Sequence, residues 1–374
     1  MTNRKSEKVI AAFVPNMLGI SPGQRVRIEL WAKALEDAGW RIDFYPFEDE
    51  PLHEYLYTSG NAGEKVKGLV RCYKKQFRNI NKTIRTDIAF IFREASLVGP
   101  AILERLIARK GVPVVFDLDD PIFLPYKSPT NNWASLLKFS RKTHKIFKIS
   151  SQIIAINQLI ADYARQFNPN VTVIPNCIDT ERYVPGNEIP GSRQTPKLIW
   201  IGSQSTMTNL NEIAAPLRRL EESHNAELLI IGAGKADLGL RNVEIRQWSA
   251  ESEVTDLQEG GIGLLPLTDL NWNNWKFFFK AIQYMAVGIP VVARRMGSNV
   301  EVIKDGINGY LVETEDEWYD RIDVLLRDEP MRRRMGNAAR RTVESEFSLS
   351  AQAVRVVDLF EDVRRSARIA RDVA

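Results

Sequence analysis

Residues 276–312 decide the fold, and they read KFFFKAIQYMAVGIPVVARRMGSNVEVIKDGINGYLV. Phe278 and Met285 mark an apolar face at helical spacing, which predicts a helix in the first part of the stretch. Gly288 stands where a residue in the left-handed conformation commonly ends a helix. The apolar run at residues 290–293 is then typical of a strand that is buried on both faces of a sheet.

A second helix and a second strand complete this stretch. Ser298 and Glu301 have the spacing of a capping box, which predicts that a helix starts there. Turn pairs containing glycine precede a short apolar strand at residues 310–312. The order helix, strand, loop, helix, strand is that of a parallel α/β sheet. The two helix N-termini, near Trp275 and near Ser298, are expected to face one crevice, where their free N–H groups suit phosphate.

The composition is that of an ordinary soluble globular protein. The chain has 374 residues, of which 44% are apolar and 26% charged, and its formal net charge is +4. Its two cysteines, Cys72 and Cys177, form no disulfide framework and suit a reducing cytoplasm. The N-terminus has no apolar signal core, and no apolar run reaches the roughly 18 residues of a membrane helix. A cytoplasmic location is therefore expected.

Two series of alternating strands and helices are separated by a stretch rich in proline and glycine. The first series begins with the apolar run at residues 9–14, and the alternation restarts at residues 197–201. Residues 185–196 have little apolar content, which is typical of a linker. We predict an α/β protein with a Rossmann-like N-terminal domain over residues 1–184 and a Rossmann-like C-terminal domain over residues 197–349.

The quoted stretch resembles the C-terminal half of retaining GT-B glycosyltransferases of the large family 4 type. The resemblance is carried by QYMAVGIPVVA at residues 283–293, then by Gly297, Glu301 and DGINGYLV at residues 305–312. It implies two Rossmann-like domains that face a central cleft, the first for the acceptor and the second for the nucleotide sugar. It also implies that the helix predicted at residues 350–374 crosses back to the first domain.

By this resemblance, the protein moves a sugar from a nucleotide-diphosphate sugar to an acceptor hydroxyl with retention of the anomeric configuration. A glycan or lipid-linked acceptor is expected, in the synthesis of cell-surface polysaccharide or glycolipid. The leaving phosphate itself is expected to accept the acceptor proton, and neither a cofactor nor a metal ion is expected. The alternatives are a GT-B nucleotide-sugar epimerase or phosphorylase, and a non-catalytic member that binds nucleotide sugar or a partner protein.

The donor site is expected on the second domain, although two family features are missing. The positions where the family usually has two glutamates hold Trp275 and Gln283, and the amide of Gln283 is able to bind ribose hydroxyls instead. The loop after residue 201 lacks the arginine and lysine that often grip the diphosphate. The residues expected to bind the donor are Gly202, Ser203, Thr206, Lys276, Lys280, Gln283, Gly297, Ser298, Asn299 and Glu301.

Lys280 is expected to act on the leaving group, because a cation aimed at developing charge stabilises the transition state. Lys276 and Arg294 add positive charge nearby. Each candidate also has a plainer interpretation. The lysines suit a solvated helix surface, the hydroxyls of the 202–206 loop suit an ordinary polar turn, and Glu301 suits the second half of the capping box.

The acceptor side is expected on the first domain, where polar residues follow predicted strands. Asp119 and Asp120 come directly after an apolar run, so one of them is able to orient or deprotonate the acceptor hydroxyl. The alternative is that they form a turn or cap a helix. Their Asp-x-Asp pattern is also similar to the metal site of GT-A enzymes, which the GT-B resemblance disfavours. The other expected cleft residues are Gly19, Arg25, Arg27, Arg93 and Glu94, with solvated arginines and an Arg93–Glu94 ion pair as the alternative.

Two basic segments predict contact with an anionic membrane surface, which would place the protein at the inner face of the plasma membrane. One starts at Arg71 and ends at Arg85, with six cations and no acid, and the other starts at Lys138 and ends at Lys148. Cations interleaved with apolar residues suit anionic lipid. A solvated charged face is the alternative. No recognition motif accompanies the charge, so nucleic acid is not an expected partner.

Overall fold

The computed structural model describes residues 7–56, 58, 60–124, 141–186, 196–234, 236–269 and 271–373. The chain divides into two compact units, one of Met1–Asn176 with Gln352–Ala374 and the other of Cys177–Ala351. Residues 177–184, predicted to lie in the first domain, thus belong to the second unit. Most of the predicted linker lies outside the described residues.

Each unit contains a six-stranded parallel sheet. The strands of the first sheet are β1 (Lys8–Val14), β2 (Trp40–Pro46), β3 (Ile88–Phe92), β4 (Val114–Leu118), β5 (Gln152–Ala155) and β6 (Val171–Val173), in the order β2-β1-β3-β4-β5-β6. Those of the second are β7 (Lys197–Ile201), β8 (Leu228–Ile231), β9 (Val243–Arg246), β10 (Gly260–Leu265), β11 (Val291–Arg294) and β12 (Gly309–Val312), in the order β12-β11-β10-β7-β8-β9.

Helices connect the strands in both units. They are α1 (Pro22–Gln24), α2 (Leu30–Asp37), α3 (Glu50–Leu56), α4 (Ala62–Ile80), α5 (Ile102–Ala108), α6 (Lys142–Ile149), α7 (Gln158–Arg165), α8 (Met207–Asn211), α9 (Ala214–His224), α10 (Glu253–Gln258), α11 (Asn271–Asn274), α12 (Phe279–Ala286), α13 (Asn299–Val302), α14 (Glu315–Arg327), α15 (Glu329–Thr342) and α16 (Leu349–Val373). Short π-helical turns occupy Arg25–Glu29 and Val343–Phe347, and 3-10 turns occupy Asn81–Arg85 and Gln204–Thr206.

The central strands are short apolar runs, as is typical of a parallel sheet with both faces covered. All residues of β3, β4, β8 and β10 are buried, for example. The predicted doubly wound α/β architecture is therefore confirmed. Strand order reverses beside β1 in the first sheet and beside β7 in the second. Ligands bind outside the carboxyl ends of strands at such points, which is where Gly19, Arg93 and Gly202 lie.

The last helix, α16, packs on the first unit, as predicted. Phe360 is fully buried, with its ring 6.0 Å from Phe90 and 6.1 Å from Trp40. Beside it, Arg364 donates through Nε to Asp87 at 2.9 Å. The apolar anchor and the ion pair together fix the C-terminal helix to a unit whose other strands and helices come from the first half of the chain.

Residues 276–312 fold in the predicted order, as α12, β11, α13 and β12, but the first helix begins later than predicted. Residues 271–274 form the separate short helix α11, and α12 begins at Phe279 rather than near Trp275. Phe278 has an extended backbone, and its N–H donates to Ser298 Oγ at 3.2 Å. Lys276 therefore precedes the helix, whereas Lys280 lies in its first turn.

Candidate functional site

The ammonium of Lys280 lies at the carboxyl edge of the second sheet, 4.7 Å from the centre of the Trp200 ring. Among the residues that the structure describes, no carboxylate or hydrogen-bond acceptor pairs with it. Loss of contact with water, together with the charge of Lys276, lowers the pKa of Lys280 to about 8. An aromatic face compensates only part of the lost hydration, so an anion placed here would stabilise the charged form.

Gly202 brings the backbone close to this ammonium. A Cβ at residue 202 would lie 2.5 Å from the Trp200 ring and 2.7 Å from Lys280 Nζ. Any side chain here would therefore displace the lysine or the ring. Lys280, Trp200 and Gly202 together are called the Lys280 site below.

The polar residues after Gly202 are partly engaged with one another. Ser203 is exposed, and its Oγ lies 2.8 Å from Ser205 Oγ. Thr206 donates through Oγ1 to the Ser203 carbonyl at 2.9 Å, so its hydroxyl hydrogen stabilises the turn. Both hydroxyl oxygens are still able to accept a hydrogen bond. Of these two residues predicted to bind the nucleotide sugar, Ser203 is the more accessible.

The predicted capping box at Ser298 is wrong. Ser298 Oγ donates to the Lys276 carbonyl at 2.9 Å and accepts from the Phe278 N–H, and it makes no capping bond to α13. Ser298 is 1% exposed, so it positions the chain that enters α12 instead of presenting its hydroxyl to a ligand. Glu301 is exposed and is not the second half of a capping box.

Gly297 and Asn299 also shape this loop. Gly297 has a φ of +52°, and a Cβ there would lie 2.8 Å from the Asn273 carbonyl, so glycine permits the close approach to α11. Asn299 is fully buried and donates through Nδ2 to the Arg294 carbonyl at 2.9 Å. Together they fix the loop after β11 beside the start of α12.

Gln283, the predicted ribose contact, is held by Glu253. Gln283 Nε2 donates to Glu253 Oε1 at 2.5 Å, Trp248 Nε1 donates to Oε2 at 2.5 Å, and the Tyr183 hydroxyl donates to Oε1. Glu253 is 5% exposed. A buried carboxylate that accepts from three neutral donors fixes all three side chains. The sequence gives no signal for this network, since its members are far apart in the chain.

Trp248 also lies at this edge, and no sequence pattern predicted it as a site residue. It follows β9 and is 44% exposed although Glu253 holds its indole nitrogen. A Cβ at Gly232 would lie 3.3 Å from Trp248 Cβ and 2.8 Å from the Gly202 carbonyl. The ends of β7, β8 and β9 are thus contiguous, and one surface runs from Lys280 past Gly202 to the face of Trp248.

In the first unit, the predicted residues Arg93, Asp119 and Asp120 do come together. Arg93 binds both carboxylate oxygens of Asp119, at 2.5 and 2.7 Å, and lies 2.7 Å from Asp120 Oδ2. Burial alone would lower the pKa of Arg93, but the two carboxylates raise it above its ordinary value. Arg93 also has a φ of +56°, a strained conformation that is often found at functional sites.

Because Gly23 has no side chain, α1 is able to lie close to Arg93 and Asp119, and a side chain at this position is predicted to destabilise the first unit. A Cβ at residue 23 would lie 2.5 Å from Asp119 Oδ2 and 2.7 Å from Arg93 Nη2. We expect Gly23→Ala to lower the free energy of unfolding of the first unit by about 1–3 kcal/mol, as overpacking does, in urea denaturation. Gly63→Ala in α4 is the control, because a Cβ there meets nothing within 4 Å. Equal effects of the two variants would contradict the prediction.

Arg27 is a core residue, in contrast to its predicted position in a cleft. It is 0% exposed, and its guanidinium donates to both oxygens of Asp117, at 3.0 and 2.5 Å, and to the Ile174 carbonyl at 2.6 Å. All of its polar contacts therefore serve the fold. Arg27 is left out of the proposed site.

Gly19 lies exposed in the loop after β1, and Arg25 begins the π-helical turn that follows α1. Gly19 has a φ of +78°, and its N–H donates to Glu29 at 2.9 Å. Arg25 is half-buried, and its guanidinium has no ion-pair or hydrogen-bond partner among the described residues. Of the two arginines predicted in this loop, Arg25 is the one that is able to bind a ligand.

Glu94 pairs with a different cation. Its carboxylate lies 2.6 Å from Lys142 Nζ, which also donates to the Ser96 carbonyl at 2.8 Å. Burial would lower the pKa of Lys142, but Glu94 and Glu104 raise it. The alternative interpretation, an ion pair between Arg93 and Glu94, does not hold, because Arg93 pairs with Asp119 and Asp120 while Glu94 pairs with Lys142.

The described residues contain no group of three or more His, Cys, Asp or Glu side chains that could hold a metal ion. None of the described helices is long and apolar enough to cross a membrane. The basic segment from Lys138 to Lys148 lies partly outside the described residues, since the structure describes it only from residue 141.

Two family models match the chain, the first mainly in the first unit and the second within the second unit. The model for Glycosyltransferase Family 4 matches residues 22–182, and the model for Glycosyl transferases group 1 matches residues 279–342. The second match begins at the first residue of α12 and so contains Lys280.

Curated relatives are similar over part of their length. N-acetyl-alpha-D-glucosaminyl L-malate synthase of Bacillus anthracis is 26% identical over 211 residues, which are 53% of this chain and 55% of that protein. Spore coat protein SA of Bacillus subtilis (strain 168) is 32% identical over 97 residues, which are 25% of this chain and 26% of that protein. The chain thus spans about half of the first relative and about a quarter of the second.

A solved structure is similar over nearly the whole chain. HepE of Anabaena in complex with UDP superposes with a TM-score of 0.68 at 13% identity, covering 95% of this chain and 100% of that one. At this identity the structural similarity shows the fold alone, whereas the two family models indicate the family. The chain belongs to the glycosyltransferases of the family 4, group 1 type, and it has their GT-B fold.

Proposed function

We propose that this protein transfers a sugar from a nucleotide-diphosphate sugar to an acceptor hydroxyl with retention of configuration. The observation that carries the proposal is the Lys280 ammonium, which is partly buried and has no anionic partner among the described residues. A partly buried cation loses hydration that a bound anion would compensate. The start of α12 and the backbone at Gly202 lie beside it, so a diphosphate is the anion that fits best.

The relatives support a nucleotide-diphosphate sugar as the donor. HepE of Anabaena was solved with UDP and also with UDP-glucose. We therefore propose a uridine nucleotide as the first donor to test. The exposed face of Trp248 and the hydroxyl of Ser203 lie on the same surface as Lys280, within reach of the rest of such a ligand.

Lys280 would act mainly on the leaving group. As the bond to the sugar breaks, negative charge grows on the diphosphate, and a fixed cation with helix N–H groups stabilises that charge without reorganisation. Gln283 and Ser298 would support this site indirectly, since one fixes the body of α12 and the other fixes the chain before it.

The first unit would position the acceptor. Both oxygens of Asp119 already accept hydrogen bonds from Arg93, which disfavours Asp119 as a strong base. We propose that the leaving phosphate takes the acceptor proton, while Arg25 and the Arg93–Asp119–Asp120 cluster orient the acceptor. A product with the same anomeric configuration as the donor sugar, observed by NMR, is expected. Inversion would overturn this part of the proposal.

The experiment that tests the donor site is a thermal-shift panel with UDP, GDP, ADP, CMP and their common sugars, with and without magnesium. Binding to the folded state alone stabilises it by about 2.7 kcal/mol at a ligand concentration one hundred times Kd. We expect one nucleotide-diphosphate to stand out without magnesium. If nothing binds, the donor proposal fails. A protein that binds but neither transfers nor hydrolyses would be a non-catalytic member, and sugar interconversion without acceptor would indicate an epimerase.

The affinity for nucleotide-diphosphate is predicted to fall as the pH rises through about 8. The pKa of Lys280 is lowered to about 8 in the unliganded protein, so the ammonium that attracts the phosphates is lost above that pH. Each further pH unit should weaken this contribution by roughly tenfold. Calorimetric titration with UDP at pH 7, 8 and 9 measures it, with Lys280→Arg as the control that stays charged. A pH-independent affinity in the unmodified protein would contradict the prediction.

A further inference from the structure

Glu253, the first residue of α10, is a buried carboxylate whose hydrogen-bond partners are all neutral. It is 5% exposed, and it accepts from Gln283, Trp248 and Tyr183. No lysine or arginine among the described residues forms an ion pair with it. A carboxylate is costly to bury without a cation, but its hydrogen bonds are roughly twice as strong as those between neutral groups. Glu253 therefore holds its partners firmly, and two of them lie on the surface that includes the Lys280 site.

The carboxylate decides which way the amide of Gln283 points. A carboxylate only accepts hydrogen bonds, so the amide nitrogen has to face it, and Gln283 Nε2 donates to Glu253 Oε1 at 2.5 Å. The amide oxygen of Gln283 accepts from no described residue, and it is not one of the fully buried polar atoms. This oxygen is therefore available to accept a hydrogen bond from a hydroxyl group of a ligand.

The same carboxylate fixes the ring of Trp248. The indole nitrogen donates to Glu253 Oε2 at 2.5 Å, while 44% of Trp248 stays exposed. The ring is thus held by its polar edge, and its apolar surface is left to a ligand. Aromatic side chains of this kind stack on nucleobases, because every base has a π-face.

These groups follow one another in a fixed order along the surface. Lys280 and Gln283 are three residues apart on α12, so they are neighbours on one side of that helix. Glu253 then joins Gln283 to Trp248. A cation, an acceptor oxygen and an aromatic ring therefore lie in the order in which a ribonucleotide presents its phosphates, its ribose hydroxyls and its base.

We propose that Glu253 is a positioning residue that makes the donor site selective for ribonucleotides over deoxyribonucleotides. It would direct the amide oxygen of Gln283 at a ribose hydroxyl and hold the ring of Trp248 against the base. The inference rests on the proposed function and adds to it how the nucleotide is recognised. The alternative is that Glu253 serves the fold alone, by tying Tyr183 to α10 and α12.

The test compares UDP with 2′-deoxy-UDP and 3′-deoxy-UDP in calorimetric titrations of the full chain. We expect the unmodified protein to bind UDP about tenfold more tightly than at least one of the two analogues, as the loss of a hydrogen bond would give. In Glu253→Gln the nucleotides should bind within about twofold of one another, because the amide of Gln283 is no longer held in one orientation. If the thermal-shift panel selects another base, the three nucleotides of that base replace these probes.

An exchange of the two side chains should rescue the preference for ribose. Glu253→Gln combined with Gln283→Glu returns one carboxylate and one amide to the same two positions, and the carboxylate oxygens are able to accept from ribose hydroxyls. We expect at least half of the tenfold preference to return, about fivefold. A purely structural role of Glu253 would not move this preference in either variant.

Trp248→Phe separates the contact with the base from the contact with the ribose. Phenylalanine keeps an aromatic ring but has no N–H for Glu253, so the ring would no longer be held by its edge. UDP and both deoxy analogues should all bind more weakly, by about threefold or more, with the preference for ribose unchanged.

Glu221→Gln is the matched control for the change at Glu253. Glu221 on α9 is also buried, at 6% exposure, and it accepts from the backbone N–H groups of Arg241 and Asn242. The same substitution there should lower the melting temperature and leave the preference for ribose as it is in the unmodified protein. A loss of preference in Glu221→Gln equal to that in Glu253→Gln would show a general effect of destabilisation and overturn the positioning role.

The remaining outcomes distinguish this inference from the proposed function. If UDP binds the unmodified protein without a preference for ribose, or if Glu253→Gln keeps the preference, the positioning role is overturned while the donor site stands. If no nucleotide-diphosphate binds the unmodified protein, both are overturned. Where circular dichroism shows that Glu253→Gln does not fold, Gln283→Ala takes its place, and a preference that survives in that variant overturns the inference.

Discussion

Replacement of Lys280 with alanine is expected to lower kcat/KM for sugar transfer by about 10²- to 10³-fold, the range found when one stabilising donor is removed from a charged transition state. The size of the effect follows from the setting of the ammonium. Lys280 is partly buried, its ammonium lies over Trp200, and no described residue competes for its charge. Steady-state kinetics with the donor found in the thermal-shift panel measures the effect.

The unliganded variant should be as stable as the unmodified protein, or slightly more stable. The lowered pKa shows that folding disfavours the charged form of Lys280, so its removal relieves a cost. Between pH 8 and the ordinary pKa of lysine, the unfolded chain binds the additional proton, and the free energy of unfolding of the unmodified protein should rise with pH. Lost activity with an unchanged melting temperature would therefore locate the defect in the site.

Lys304→Ala is the matched control, because Lys304 is exposed and pairs with Glu346 at 2.8 Å. It should leave kcat/KM unchanged. Lys280→Arg should recover part of the loss, since it restores charge with a different shape. If Lys280→Ala kept the activity of the unmodified protein, other groups would have to stabilise the leaving group. The position of Lys280 would then no longer support the proposed function.

Local patterns were sufficient to predict most of the architecture. The order of α12, β11, α13 and β12 follows from apolar spacing, and Gly288 ends α12 with a φ of +78°, as a residue in the left-handed conformation should. These features depend on neighbours in the chain, so a single sequence contains them.

Contacts between distant residues were not predictable in the same way. Ser298 suited a capping box by spacing, yet its hydroxyl binds the chain before α12, because the tertiary fold brings the Lys276 carbonyl closer. Gln283 suited a ribose contact, but its amide nitrogen is taken by Glu253. A sequence shows which groups a residue is able to bind, and only the fold decides which partner reaches it first.

The second large effect is expected in the core of the first unit. Arg27→Ala should lower the free energy of unfolding of that unit by about 3–5 kcal/mol, because it leaves the Asp117 carboxylate buried without its partner. The guanidinium also lies 4.4 Å from the centre of the Trp31 ring, so packing is lost as well as charge. Urea denaturation followed by circular dichroism measures the change, with UDP binding as an independent reporter that the second unit is intact.

Arg25→Ala is the control from the same turn, and since Arg25 has no described partner we expect a change within about 0.5 kcal/mol. The double variant Arg27→Leu with Asp117→Leu distinguishes the loss of the ion pair from the cost of burying a single unpaired charge. If the loss in Arg27→Ala comes from an uncompensated carboxylate, the double variant should be more stable than either Arg27→Ala or Asp117→Ala, since neither charge remains in the core. If the double variant instead lost as much free energy of unfolding as the two single variants together, Arg27 and Asp117 would act independently. The description of Arg27 as a structural residue paired with Asp117 would then be wrong.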